Sequence, residues 1–247
     1  MLTLKGRTCV FAGATGLIGR GAVKAMCEAG MNVVMVTHSP DSAQDIIESL
    51  GEYKDHCIAL SNANGDDAVF DEVVEKFGSV DVVINKTGGF DSPVPFAEID
   101  AETLSRKLNH QITGSFKMVQ AALPYLEKSK AGRVILMANA GAQDGFTGEN
   151  IADSIARGGV ITMTYCLARE LAPKGITVNC IAATGIVNDH PPRSEKNLDS
   201  EKLLPLIPVG HIGTNDEFGA AVQYLVSEEA AFVTGQVINL SGGLHIG

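Results

Sequence analysis

Short apolar runs and amphipathic stretches alternate along the whole chain. Thr8-Cys9-Val10-Phe11-Ala12 is a continuous apolar run of strand length, and the apolar positions from Leu17 to Ala29 then recur at helical spacing. Asn32 to Val36 is a second apolar run. Ser39-Pro40-Asp41 after it supplies an N-cap with proline at the first helical position, which predicts a helix from about Asp41 to Leu50. Further strands are predicted at Cys57 to Leu60, Val80 to Asn85, Arg133 to Ala138, Thr177 to Ala182 and Gln236 to Leu240. Helices are predicted at Asp66 to Phe77, Ala101 to Leu126 and Ile151 to Leu171. Apolar strands separated by helices are the pattern of an α/β fold: one doubly wound domain over residues 1–247, with a parallel sheet of about seven strands and helices on both faces. The one irregular region is 184–214, which holds Pro191-Pro192, Arg193, His190 and a short helical patch from Ser200 to Leu204. Its length, ahead of the last helix and strand, predicts a substrate-covering lid, with a plain linker as the alternative.

The junction after the first strand carries the first chemical signal. Gly13-Ala14-Thr15-Gly16-Leu17-Ile18-Gly19 lies between a strand and a helix, and its glycines differ by one spacing from the common Gly-x-Gly-x-x-Gly fingerprint. Glycines there permit positive φ and close approach of a pyrophosphate, and the first helical N–H groups favour an anion. The motif therefore reads as a dinucleotide site in a Rossmann domain, against an ordinary tight turn with close helix packing.

Composition narrows the ligand. The net charge of −10 and the absence of a Lys/Arg cluster argue against nucleic acid and leave a small-molecule substrate. No apolar run reaches the ~18 residues of a membrane span, and the chain start lacks a signal-peptide core, so no membrane association and a cytoplasmic location are expected. Cys9, Cys27, Cys57, Cys166 and Cys180 form no Cys-x-x-Cys pair and read as buried free thiols of a reducing compartment, with no metal site. An acid at the end of the second strand would hold the ribose of NAD(H). Thr37, His38 and Ser39 stand there instead, and Asp41 falls beyond the strand in a helical first turn, so NADP(H) is favoured over NAD(H).

Taken together, these residues resemble the short-chain dehydrogenase/reductase family over nearly the whole chain. The likeness rests on Gly13 to Gly19, on Asn85-Lys86-Thr87-Gly88 where the family has Asn-Asn-Ala-Gly, on Asn109, and on Gly132-Arg133-Val134-Ile135. It continues through Ala168-Arg169-Glu170-Leu171-Ala172, Gly175-Ile176-Thr177-Val178-Asn179 and Thr234-Gly235-Gln236-Val237-Ile238-Asn239 to Gly242-Gly243. The resemblance implies a cofactor wall of Gly13, Thr15, Gly16, Leu17, Ile18, Gly19, Thr37, His38, Ser39 and Asn62, completed by Asn85, Lys86, Thr87, Gly88 and Arg157. It also implies a homodimer or homotetramer, and a catalytic set at Asn109, Asn139, Asp153 and Arg157.

That set departs from the family. Asn139 stands where the family has serine, Asp153 where it has tyrosine, and Arg157 where it has lysine; no Tyr-x-x-x-Lys occurs anywhere in the chain. A phenol near ~10 can be tuned to donate and accept a proton, whereas a carboxyl near ~3.9 is ionised at neutral pH, so Asp153 is ill suited as an acid. Arg157, four residues on along the same helix, is expected to pair with it. Arg157 could hold ribose hydroxyls, and Asn139 could polarise a carbonyl. His110, Gln143 and Asp144 are weaker candidates for the missing chemistry, each with a bland alternative as ordinary surface polarity.

Three functions stay open on this reading. One is an NADP(H)-dependent oxidoreductase with a non-standard site, acting on a conjugated C=C or a carbonyl. Another is a dinucleotide-binding regulatory or structural protein without turnover. The third is a non-redox lyase or isomerase with Asp153 as base.

Overall fold

The computed structural model describes residues 2–16, 18–38, 40–62, 66–88, 94–145, 151–186 and 200–247. Its strands are β1 (Thr8–Ala12), β2 (Asn32–Thr37), β3 (Cys57–Ser61), β4 (Val82–Asn85), β5 (Arg133–Ala138), β6 (Thr177–Ala183) and β7 (Val237–Leu240). They form one seven-stranded sheet in the order β3-β2-β1-β4-β5-β6-β7. Every pairing is parallel, with Ala12 level with Val36 and with Asn85.

The helices are α1 (Gly19–Glu28), α2 (Gln44–Ser49), α3 (Asp66–Phe77), α4 (Ala101–Leu108), α5 (Gly114–Leu126), α6 (Gly141–Asp144), α7 (Ile151–Leu171), α8 (Ser200–Leu203) and α9 (Asn215–Val226). Strand alternation sends two sets of side chains to two cores. On one face Phe11, Met35, Ile84 and Ile135 pack with Met26 of α1 and Phe218 and Val222 of α9. On the other Val10, Val34, Val83 and Val134 pack with Phe70 of α3, Met118 of α5 and Val160 of α7. Helix α1 meets α9 at backbone distance: a Cβ on Gly21 would lie 1.8 Å from the Asn215 carbonyl oxygen.

Several element boundaries differ from the pattern. The helix expected from Leu17 starts at Gly19, because Gly16 and Gly19 are consumed in the turn through the Gly19 N–H to Gly16 carbonyl bond of 3.0 Å. The stretch after Pro40 opens as a 3-10 turn (Pro40–Ala43) before α2. The single helix expected over Ala101 to Leu126 is divided by a π-turn at Asn109–Thr113. Such a turn inserts one residue into the helical register and is frequent at functional sites.

In the expected lid, Ile186 bridges to Gly213 and α8 is continued by a 3-10 turn (Leu204–Leu206). His190, Pro191, Pro192 and Arg193 lie outside the described residues, as do Leu17 and Ser39.

Candidate functional site

The strand order reverses between β1 and β4, and crevices for ligands open at the carboxyl ends of strands at such a point. The glycine turn follows β1 there, and Asn85 ends β4 with Lys86-Thr87-Gly88 after it. Gly13 has φ +80°, and a Cβ on it would stand 2.4 Å from the Lys86 carbonyl oxygen, so the two loops touch through backbone. Helix α1 begins beside them without a capping side chain and without an acidic residue in its first turn. An uncapped helix start behind a glycine turn fits the diphosphate of a dinucleotide.

Around that cradle, Asn85 is buried and its Oδ1 accepts from the Thr87 N–H at 2.9 Å and the Thr87 hydroxyl at 2.7 Å, which fixes the β4 loop. At the end of β2, Thr37 is half-buried with its Oγ1 3.4 Å from Ser42 Oγ, and His38 is exposed. Asn62 hydrogen-bonds the Asp66 carboxylate at the start of α3. The Lys86 side chain turns back over the glycine turn: its Nζ is 2.8 Å from the position a Cβ on Gly16 would take. Burial, and then the charge of Arg157, depress the Lys86 ammonium from 10.5 to about 8.

The start of α7 holds a buried ion pair. Asp153, 1 % exposed, lies at the start of α7 with its Oδ1 2.9 Å from Lys107 Nζ and 2.7 Å from Gln111 Nε2. Lys107 and Gln111 are themselves 3 % and 2 % exposed. Asp153 Oδ2 and Gln111 Oε1 are buried acceptors left without a donor.

Arg157 does not pair with Asp153 as the i+4 spacing predicts. Lys107 comes from across the helix interface and takes the carboxylate, and Arg157 Nε is a buried donor without an acceptor. Asn109 is exposed, its Oδ1 3.4 Å from the Thr113 hydroxyl, so the π-turn presents Gln111 to the site in its place. Gly88, at φ +107°, makes room for Gln111: a Cβ there would meet the Gln111 side chain at 2.8 Å. Lys107, Gln111 and Ser115 are polar members of the face that continues as Val119, Ala122 and Leu126, and that continuity was the available signal for them.

The remaining candidates are occupied locally. Asn139, 5 % exposed at the end of β5, accepts the Ala142 N–H at 3.2 Å and so closes the first turn of α6. Asp144 pairs with His245 of the C-terminal tail at 2.7 Å, and Gln143 donates to Asn239 of β7 at 2.6 Å. His110 is exposed, and partial burial, His38 and Lys107 lower its basicity. Among the described residues no His, Cys, Asp and Glu group could hold a metal ion, and no helix is long and apolar enough to cross a membrane.

A family model described as enoyl-(acyl carrier protein) reductase matches residues 13–245. Glucose 1-dehydrogenase 2 of Bacillus subtilis is 30% identical, covering 98% of this chain and 96% of the relative. A 2,3-dihydroxy-2,3-dihydro-p-cumate dehydrogenase of Pseudomonas putida is 32% identical over 98% of this chain and 95% of its own. A 3-oxoacyl-[acyl-carrier-protein] reductase of Vibrio cholerae is 29% identical over 99% and 100%. Among solved structures, a Sinorhizobium meliloti chain described as a short-chain alcohol dehydrogenase superposes with a TM-score of 0.87 at 22% identity, covering 98% of this chain and 97% of its own. That last likeness concerns the fold.

Proposed function

The chain belongs to the short-chain dehydrogenase/reductase family, and from that membership we propose that it is an NADP(H)-dependent oxidoreductase with a non-standard active site. The observation that carries the reading is the cradle: a glycine turn at positive φ, an uncapped helix start and the β4 loop converge at the switch point of the sheet. A nicotinamide dinucleotide bound there supplies or accepts a hydride. Thr37 and His38, with no acid at the end of β2, favour the phosphorylated dinucleotide. The substrate is a small molecule with a conjugated C=C or a carbonyl. The region 184–214 closes over it, and the protein works as a homodimer or homotetramer in the cytoplasm.

Asp153 does not move the proton in this reading. Its carboxylate is held by Lys107 and Gln111 in a buried pair, which fixes α7 against α4 and the π-turn. Asn139 lies at the end of β5 where a substrate oxygen would be polarised, although its own Oδ1 is engaged by Ala142. The proton comes from water or from the substrate itself.

The same ion pair favours a second reading, a dinucleotide-binding protein without turnover. The two part on a single assay. Purified protein with NADPH is offered a panel of ketones, enones and enoyl thioesters, and loss of the reduced-nicotinamide absorbance is followed. Consumption with any member supports the oxidoreductase. Saturable NADPH binding with no consumption across the panel supports the binding protein.

A further inference from the structure

Thr184, the first residue past β6, is 9 % exposed. Its backbone still belongs to the sheet, since its N–H donates to the Leu240 carbonyl at 3.1 Å. Side chains alternate along a strand, so Thr184 points to the same side as Cys180 and Ala182. Those two cluster with Ile161 of α7, and Ala142 of α6 packs against them. Thr184 therefore stands on the α7 side of the sheet, at the carboxyl ends of the strands where Asn139, Asp153 and Arg157 also lie. Ala182 is level with Ala138, which brings Thr184 level with Ala140, directly after Asn139.

The bonding of this hydroxyl is half complete. Its Oγ1 accepts the Ala140 N–H at 2.9 Å, which sets the rotamer. A hydroxyl also has one hydrogen to donate, and among the described residues no acceptor takes it. A buried donor left unpaired forfeits its hydration without return, so its place here calls for an acceptor from outside the chain. The segment is held too firmly to turn the hydroxyl to water. The chain bends at Gly185, φ +75°, where a Cβ would lie 3.2 Å from Ile207, 3.4 Å from Leu244 and 3.6 Å from Leu203. Asn139 next to it has its own Oδ1 committed to the Ala142 N–H, so the free donor hydrogen at this end of β5 and β6 is that of Thr184.

We propose that Thr184 is a substrate-binding residue whose hydroxyl donates to a carbonyl oxygen of the substrate, from β6 and across to the end of β5. This rests on the oxidoreductase reading and gives it a named donor. When a hydride reaches the substrate, the electron pair that it displaces collects on that oxygen. The hydroxyl bonds the growing charge and keeps its own proton, and water protonates the oxygen. A donor whose rotamer is already set by Ala140 needs no rearrangement as the charge develops.

Isobutyramide is the probe, a carbonyl compound that takes no hydride from NADPH. Thermal unfolding of the full chain is followed over an isobutyramide titration, with and without NADPH, for wild type, Thr184→Ser, Thr184→Val and Thr184→Ala. A ligand that binds the native state raises Tm with concentration. Thr184→Val keeps the shape without the hydroxyl. Thr184→Ala leaves room for a water to accept the Ala140 N–H, and it replaces Thr184→Val if that variant has no cooperative transition. Isobutyramide is expected to stabilise wild type, to act on Thr184→Ser within a few-fold, and to need roughly tenfold more or beyond for the same shift in Thr184→Val and Thr184→Ala. On any ketone or enone that wild type consumes, kcat is expected to fall about 10²–10³-fold in Thr184→Val and to stay within a few-fold in Thr184→Ser, while NADPH affinity is unchanged in both.

A Thr184-dependent isobutyramide shift without consumption of any carbonyl compound would leave Thr184 as a carbonyl donor and remove the oxidoreductase. Consumption at equal rates in wild type, Thr184→Val and Thr184→Ala would overturn the role of Thr184 and leave the oxidoreductase standing. Equal isobutyramide shifts in wild type and the variants without the hydroxyl, or no shift in wild type, would also overturn it.

Discussion

Asp153 and Lys107 share a buried contact of 2.9 Å, and neither side chain reaches bulk water. Taking one partner from such a pair strands the other charge, at a cost of about 3–5 kcal/mol. Asp153→Asn is therefore expected to lose stability of that order in urea unfolding, and Asp153→Leu combined with Lys107→Met to recover most of it. A single variant as stable as wild type would remove the structural role given to the pair. Lys86 gives a second expectation at this scale, in its dependence on pH. Its ammonium is depressed from 10.5 to about 8 by burial and then by Arg157. Between those values the unfolded chain keeps a proton that the native state has released, so this group's contribution to stability rises with pH through the window, and its penalty is full below pH 8. The Tm advantage of Lys86→Met over wild type is thus expected near neutrality and should shrink toward pH 10. A gap that stays constant across that range would mean that Lys86 titrates normally. Counting from the glycines of Gly158-Gly159 was enough to place Asp153 and Arg157 on α7. Their pairing was not legible, because helical spacing reports only neighbours on one helix, and Lys107 arrives from another.

The π-turn at Asn109–Thr113 is the element that shapes the site. It is held close to α7: a Cβ on Gly159 would lie 2.4 Å from Ile112 Cδ1. Gly159→Ala is expected to cost about 1–3 kcal/mol by overpacking, and adding Ile112→Val to return much of it. Chemical denaturation of the two variants checks this, and no recovery in the pair would place the strain elsewhere. A simpler expectation attaches to α9, where Thr214 and Glu217 form a capping box; Thr214→Ala should cost about 1 kcal/mol on the same measurement. Strands and most helices were legible because apolar runs of strand length and 3.6-residue patterns dominate the chain. The π-turn was not, since one inserted residue leaves the hydrophobic pattern intact on both sides while shifting what faces inward. Gln111, and not Asn109, touches Asp153. Lys107, Gln111 and Ser115 could have been found by extending the buried face of Leu126, Ala122 and Val119 backwards in steps of three and four.

At the scale of the whole molecule, the sheet order places the crevice between β1 and β4; the alternating α/β pattern had implied a doubly wound parallel sheet but not which strands flank the reversal. Phe116 of α5 and Ile151, Ile155 and Tyr165 of α7 are large exposed apolar side chains, 52%, 43%, 48% and 46% accessible. These helices are expected to form the contact between copies. Light scattering coupled to size exclusion should find a dimer or tetramer for wild type and a smaller species for Phe116→Glu with Ile155→Glu; a monomeric wild type would remove the assembly. The reaction is least legible at every scale, because the fold fixes where a dinucleotide lies but not which group gives up the proton. The central claim is that the cradle at the switch point holds NADP(H). Isothermal titration of the purified protein with NADPH and with NADH tests it most directly. Saturable binding, tighter for NADPH, is the predicted result; no binding of either nucleotide would contradict the account.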